Sequence, residues 1–145
     1  MNCPQLKLEN QLCFPLYAVS KEITRRYAPI LEPLKLTYTQ YIAMLVLWEE
    51  KKCNVTELGK KLFLDSGTLT PLLKKLEAKG YIKRSREESD ERCLSVSLTP
   101  KGEMLQSKAA KIPNSMASCV NLSQAEAKVL YSTLYKILDG FKENK

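Results

Sequence analysis

The chain has 145 residues, of which 27% are charged, with no histidine and a formal charge of +7 at neutral pH. That length suits one domain with its own core rather than two. The missing histidine removes Ser-His-Asp and Cys-His nucleophile pairs, which speaks against an ordinary enzyme, whereas the positive excess fits a polyanionic partner.

The longest apolar run, Tyr41 to Trp48, is far short of the roughly 20 residues a bilayer crossing needs, and the polar N-terminus lacks a signal-peptide pattern. A soluble cytoplasmic protein without membrane contact is expected. The five cysteines, Cys3, Cys13, Cys53, Cys93 and Cys119, contain no CxxC pair and are too widely spaced for a zinc knuckle, and their odd number argues against a secreted disulfide framework. No metal and no cofactor are expected.

From Pro15 to Leu31, the residues Leu16, Val19, Ile23, Ile30 and Leu31 recur at mostly helical spacing, and the helix should close near Pro33. Thr37 with Gln40 makes a capping-box pattern ahead of a second helix, from about Tyr38 to Glu50, after which Lys51 to Asn54 reads as a turn. Asn54 caps a short third helix with Val55, Leu58 and Leu62, and Asp65 can cap a fourth that ends before Gly80. The pattern then changes to YIKRSR, a polar tip EESDER, and CLSVSL with Leu94, Val96 and Leu98 alternating against Ser95 and Ser97, which is a charged β-hairpin. Thr99-Pro100 opens a helix running toward Ile112, interrupted by Pro113, and Ser123 with Glu126 caps the last one. The final stripe, Leu130, Leu134, Ile137, Leu138 and Phe141, is too long for so small a domain to bury alone, so a homodimer interface is expected there.

Helix, helix and hairpin between two long flanking helices predict a mainly α fold with a small β-hairpin: a winged helix-turn-helix over about 37–98, with dimerisation helices over about 6–35 and 99–143. In the fourth helix Leu69, Leu72, Leu73 and Leu76 share one face, while Gly67, Thr70, Pro71 and Lys74 share the other, with Thr68 and Lys75 at its margins. Small residues near Ser66 and Gly67 let a helix approach a duplex, hydroxyls bond phosphates or base edges, and lysines neutralise phosphate. Pro71 costs one internal hydrogen bond if the helix starts at Ser66, and almost none if Thr68 is the cap. Arg84, Arg86 and Arg92 of the hairpin suit a narrow minor groove, with Asp90 placed to hold Arg92, although a solvated charged turn has the same composition.

Cys13 poses a separate question. Proline is comfortable at the first position of a helix, so Pro15 sets Cys13 near a helix N-terminus, where free N–H groups and the dipole favour a thiolate. Taken alone, however, a cysteine between Leu12 and Phe14 reads more readily as a small core residue.

The segment LDSGTLTPLLKKLEAKGYIKRSREESDERCLSVSLTPKG resembles the winged helix-turn-helix core of the MarR family, whose wing carries a D-x-R sequence followed by L-T-x-x-G. Asp90, Arg92, Leu98, Thr99 and Gly102 match these positions. LENQLCFPLY, LTYTQY and LFLDSGTLTP narrow the likeness to the OhrR group of organic hydroperoxide-sensing repressors, over about Leu6 to Phe141.

The resemblance implies that Cys13 senses peroxide and that Tyr27 and Tyr38 hydrogen-bond its sulfur across a dimer interface, with Tyr17 a nearer neighbour; Tyr41, Tyr81, Tyr131 and Tyr135 are expected as amphipathic core residues. It also implies that the sulfenic acid is captured by a low-molecular-weight thiol or by a second protein cysteine, for which Cys119 is the candidate. The partners expected on this basis are a pseudo-palindromic DNA operator, a second copy of the chain and an organic hydroperoxide inducer. Two other readings remain: a MarR-type repressor that answers to a small aromatic or phenolic ligand without cysteine oxidation, and a thiol peroxidase.

Overall fold

The computed structural model describes Asn2 to Asn144, apart from the side chains of Asp90 and Glu91. Two short 3-10 turns, Pro4–Leu6 and Leu8–Asn10, lead into helix α1, Cys13–Leu31. The helix begins two residues earlier than expected, which puts Pro15 at its third position. N–H groups of a first turn have no partner within the helix, so a proline is tolerated at either place. Pro29, by contrast, lies inside the helix and cannot donate to the carbonyl of Arg25 one turn back.

A 3-10 turn, Glu32–Leu34, ends in a left-handed Lys35 and delivers the chain to α2, Tyr38–Glu50. The capping box is present: Thr37 Oγ1 accepts from the Gln40 N–H at 3.3 Å and Gln40 Oε1 accepts from the Thr37 N–H at 3.1 Å. Lys52–Asn54, expected as a turn, is strand β1, pairing antiparallel with Val96 opposite Cys53. Three residues are too few to show a strand periodicity.

Asn54 caps α3, Val55–Leu62, and Asp65 caps α4, Ser66–Ala78, accepting from the Thr68 N–H at 2.8 Å. Strands β2, Ile82–Glu87, and β3, Asp90–Leu98, complete a sheet of order β1-β3-β2. The strands extend into the polar tip, leaving Glu88 and Ser89 as its turn, with a register irregularity between Arg86 and Glu87. Thr99 caps α5, Pro100–Ala109, which stops short of Ile112; α6, Ile112–Ala117, starts there with Pro113 at its second position. Helix α7, Gln124–Glu143, opens on a second capping box, Ser123 with Glu126.

Two compact units result, one ending at Pro113 and the other starting at Asn114. In the first, Leu31, Met44, Leu47, Leu58, Leu69, Leu73, Leu76, Ile82 and Val96 form the centre of a core shared by α1, α2, α3, α4 and the sheet. Only the C-terminal end of α1 joins this core, through Tyr27, Ile30 and Leu31, whereas Phe14, Leu16, Tyr17 and Val19 are exposed. In the second unit α7 carries no buried residue, and Val129, Leu130, Tyr131, Leu134, Tyr135, Ile137 and Phe141 are exposed. Tyr41 and Tyr81 are buried as core residues, but Tyr131 and Tyr135, expected beside them, are 65% and 43% exposed.

Candidate DNA-reading face and sensor thiol

Helix α4 separates its two faces cleanly. Leu69, Leu72, Leu73 and Leu76 are buried; Ser66, Gly67, Thr68, Pro71, Lys74 and Lys75 are exposed and Thr70 is half-buried. Because Asp65 and not Thr68 is the cap, Pro71 sits at the sixth position and leaves the Gly67 carbonyl without its helical donor. The N–H groups of the first turn hold the Asp65 carboxyl below its usual range, the Thr68 amide first among them.

Two glycines separate packing from accessibility. A Cβ on Gly102 would lie 2.2 Å from the Tyr81 carbonyl oxygen, so the fold itself requires glycine there. On Gly67 it would meet only Asp65 Oδ1, at 3.4 Å. Packing thus does not account for the bare backbone at the start of α4.

The hairpin is tied to α4 by Glu77. Its Oε2 accepts from the Arg84 N–H at 2.7 Å, and its Oε1 accepts from Arg84 Nε at 3.2 Å and Nη2 at 3.1 Å. The Arg84 backbone bond first, then its side chain, lowers the Glu77 carboxyl below its ordinary value. Arg86 and Arg92, near the turn, are exposed. The Asp90 side chain, expected to hold Arg92, lies outside the described residues.

The C-terminal end of α4 is tied to the start of α2. Lys79 Nζ donates to the Lys35 carbonyl and, at 2.8 Å, to Gln40 Oε1, and Tyr81 donates its hydroxyl to the Leu34 carbonyl at 3.2 Å. Glu77 and Lys79 escaped the sequence reading, since partners 7 and 39 residues away leave no local pattern.

Cys13 is the exposed first residue of α1, and Leu12 before it supplies no side-chain cap. Tyr17 follows one turn later on the same face and is 61% exposed, with Lys21 Nζ 5.1 Å from its ring centre. Tyr27 and Tyr38 pack with ring centres 4.7 Å apart, and Tyr41 lies 5.8 Å from the first and 6.4 Å from the second. Burial first, then the neighbouring phenols, raises the Tyr27 hydroxyl above its ordinary value, so it stays a donor at neutral pH.

The structure brings Tyr27 and Tyr38 together but keeps them from Cys13 of the same chain. At 1.5 Å per residue, the 14 residues from Cys13 to Tyr27 span about 21 Å of helix axis. Cys119 is exposed in the second unit, its Sγ 3.5 Å from the Ser115 carbonyl. Cys53 is buried in β1, which pushes its thiol up; Cys3 and Cys93 are partly exposed.

Residues 25–109 match the model of the SarA/Rot transcriptional regulators. Over 134 residues the chain is 48% identical to the organic hydroperoxide resistance transcriptional regulator of Bacillus subtilis, covering 92% of this chain and 91% of that one. The chain belongs to the MarR family of transcriptional regulators, in its OhrR-like branch. Among solved structures, this regulator resembles reduced AbfR bound to DNA with a TM-score of 0.77 at 37% identity, covering 94% of this chain and 95% of that one. Against disulfide-formed AbfR, at the same identity and with coverages of 96% and 94%, the TM-score is 0.63. AbfR is a protein of Staphylococcus epidermidis. Overoxidized AbfR bound to DNA matches with the same TM-score of 0.77 at 37% identity. Among its described residues no helix is long and apolar enough to cross a membrane, and no cluster of three or more His, Cys, Asp or Glu could hold a metal.

Proposed function

We propose that this regulator is a cytoplasmic homodimeric repressor that releases its operator when an organic hydroperoxide oxidises Cys13. The observation that carries the proposal is the separation just described: a thiol at the open start of α1, and two phenols clustered about 21 Å further along the axis. Phenols so placed can serve that sulfur only from a second copy lying alongside, and the exposed apolar faces of α1 and α7 support such pairing. In this arrangement residues 37–98 form the reading core, and 6–35 and 99–143 hold the copies together.

The thiolate attacks the terminal peroxide oxygen, the O–O bond breaks, and the alkoxide takes a proton and leaves as an alcohol, giving a sulfenic acid. A second thiol, Cys119 of the other copy or a low-molecular-weight thiol, then forms a disulfide and releases water. Phenol hydroxyls from Tyr27 and Tyr38, with Tyr17 nearby, stabilise the starting anion by donation, and their rings exclude water from the peroxide's organic tail.

In the reduced state two copies of α4 enter successive major grooves about 34 Å apart. Ser66, Gly67, Thr68, Thr70, Pro71, Lys74 and Lys75 face the duplex, while Arg86 and Arg92 reach the flanking minor groove. Arg84, through Glu77, sets the angle of the wing. Drawing Cys13 away from its phenols repacks the arms and mismatches the reading heads.

Operator binding measured by fluorescence anisotropy during cumene hydroperoxide titration tests this. Wild type should release DNA near one equivalent of peroxide, and Cys13→Ser should hold it. Equal release of both would instead support a ligand-responsive repressor, for which the apolar cavity between Tyr41, Leu45, Trp48, Ala109 and Pro113 offers room. Steady turnover of peroxide without operator preference would support a peroxidase.

A further inference from the structure

At the foot of α4, away from its reading end, lies a cavity of about 380 Å³ lined by Pro33, Lys35, Lys79, Tyr81, Lys101 and Lys108, with Ala78 and Leu105. Small-ligand sites begin at about 300 Å³. Four lysines and no acidic residue line it, and among the described residues none of the four forms an ion pair, whereas Lys51, Lys61 and Arg84 each hold a glutamate.

Two of the four are fixed by neutral groups. Lys101 Nζ donates to the Lys79 carbonyl at 2.8 Å and lies 5.3 Å from the centre of the Tyr81 ring, and Lys79 donates to the Lys35 carbonyl and Gln40. Uncompensated like charge gathered around one opening costs free energy, which an entering anion would recover. Burial lowers the Lys79 ammonium from its ordinary value, with smaller contributions from Lys75, outside the cavity, and Lys35.

We propose that this cavity is an effector site for a small oxyanion, a phosphoryl or carboxylate compound, that competes for the Lys79 ammonium. Lys79 also holds Gln40, whose side chain closes the capping box immediately before Tyr38. An anion that recruits Lys79 therefore loosens the tie between the reading helix and the helix that carries a sensor phenol. A DNA phosphate is the other possible source of the same chemistry, but Lys79 is about 18 Å along the axis from Gly67, so the occupant is assigned as a free small molecule. The site stands whether or not Cys13 is the peroxide sensor.

Inorganic phosphate, titrated into the reduced full-length protein against chloride at matched ionic strength, is the probe. Calorimetry should show saturable binding, and at tenfold its Kd the Tm should rise by about 4 °C. Lys101→Gln with Lys108→Gln should weaken phosphate binding by about tenfold or more, while Lys128→Gln with Lys136→Gln on α7 should not. Lys108→Gln alone keeps the Lys101 contacts and should weaken it in part. Saturating phosphate should also weaken operator binding in wild type and in Cys13→Ser alike. Absence of saturable binding, or equal binding by the Lys101/Lys108 pair, overturns the site; binding that leaves operator affinity unchanged overturns its effector role. A salt slope of operator binding shallower by about two in the Lys101/Lys108 pair, in phosphate-free buffer, would assign the cavity to the DNA backbone and also overturn the proposal.

Discussion

The α4–wing region and the two arm helices, α1 and α7, solve opposite problems with similar residues. Around α4 nearly every contact closes within the chain: four leucines are buried inward, Glu77 grips Arg84, Lys79 grips Lys35 and Gln40, and Trp48 donates its Nε1–H to the Gly102 carbonyl at 2.9 Å. Along α7 and the first two turns of α1, leucines, tyrosines and phenylalanines of the same chemistry stand exposed. The α4–wing region is packed within one chain, whereas the arms have the composition of half an interface.

One substitution made in both regions sharpens that contrast most. Leu73→Ala should cost about 3 kcal/mol in urea unfolding, because Leu73 is 1% exposed and the cavity it leaves cannot collapse. Leu134→Ala on α7, where the leucine is 36% exposed, should change unfolding of the dilute chain by less than about 0.5 kcal/mol and instead raise the dimer dissociation constant seen by sedimentation. Equal unfolding costs would erase the distinction. Next in size, Gly102→Ala should lose about 2 kcal/mol, since its methyl would displace the Tyr81 carbonyl, while Gly67→Ala should leave stability nearly unchanged and weaken operator binding.

Trp48→Phe should cost about 1 kcal/mol by leaving the Gly102 carbonyl without that donor, checked by denaturant midpoint. The smallest effect concerns pH. The Glu77 carboxyl is lowered in the fold, so its contribution is present above the ordinary carboxylate pKa and disappears as pH falls through the lowered value. Glu77→Gln should therefore flatten the acid limb of the stability curve, at a neutral-pH cost below about 1 kcal/mol for a half-buried pair that solvent still reaches. An unchanged acid limb would remove Glu77 from the joint between α4 and the wing.

What the sequence revealed depended on the range of the signal. Caps at Thr37, Asn54, Thr99 and Ser123 act over two or three residues and are found where the pattern places them, whereas for α4 the pattern left Asp65 and Thr68 open and the structure has Asp65. The inward face of α4 follows from helical period alone. Strand β1 did not, because its three residues become a strand only by pairing with β3 some 40 residues later. Tyr131 and Tyr135 were assigned to a core because a tyrosine on an amphipathic helix looks the same whether its cover comes from its own chain or another. For the site, spacing placed Cys13 at a helix end, but its sensor role and the grouping of Tyr27 with Tyr38 came from family resemblance; the two rings lie in tilted contact, 4.7 Å between centres.

Pro29 gives α1 an uneven stiffness. One rung of its ladder is absent near the root, where Ile30 and Leu31 are embedded, so the helix is a cantilever with its compliance concentrated next to the wall. The tip bearing Cys13 lies 16 residues and about 24 Å from that joint, so a small change of angle there translates into a large displacement of the thiol.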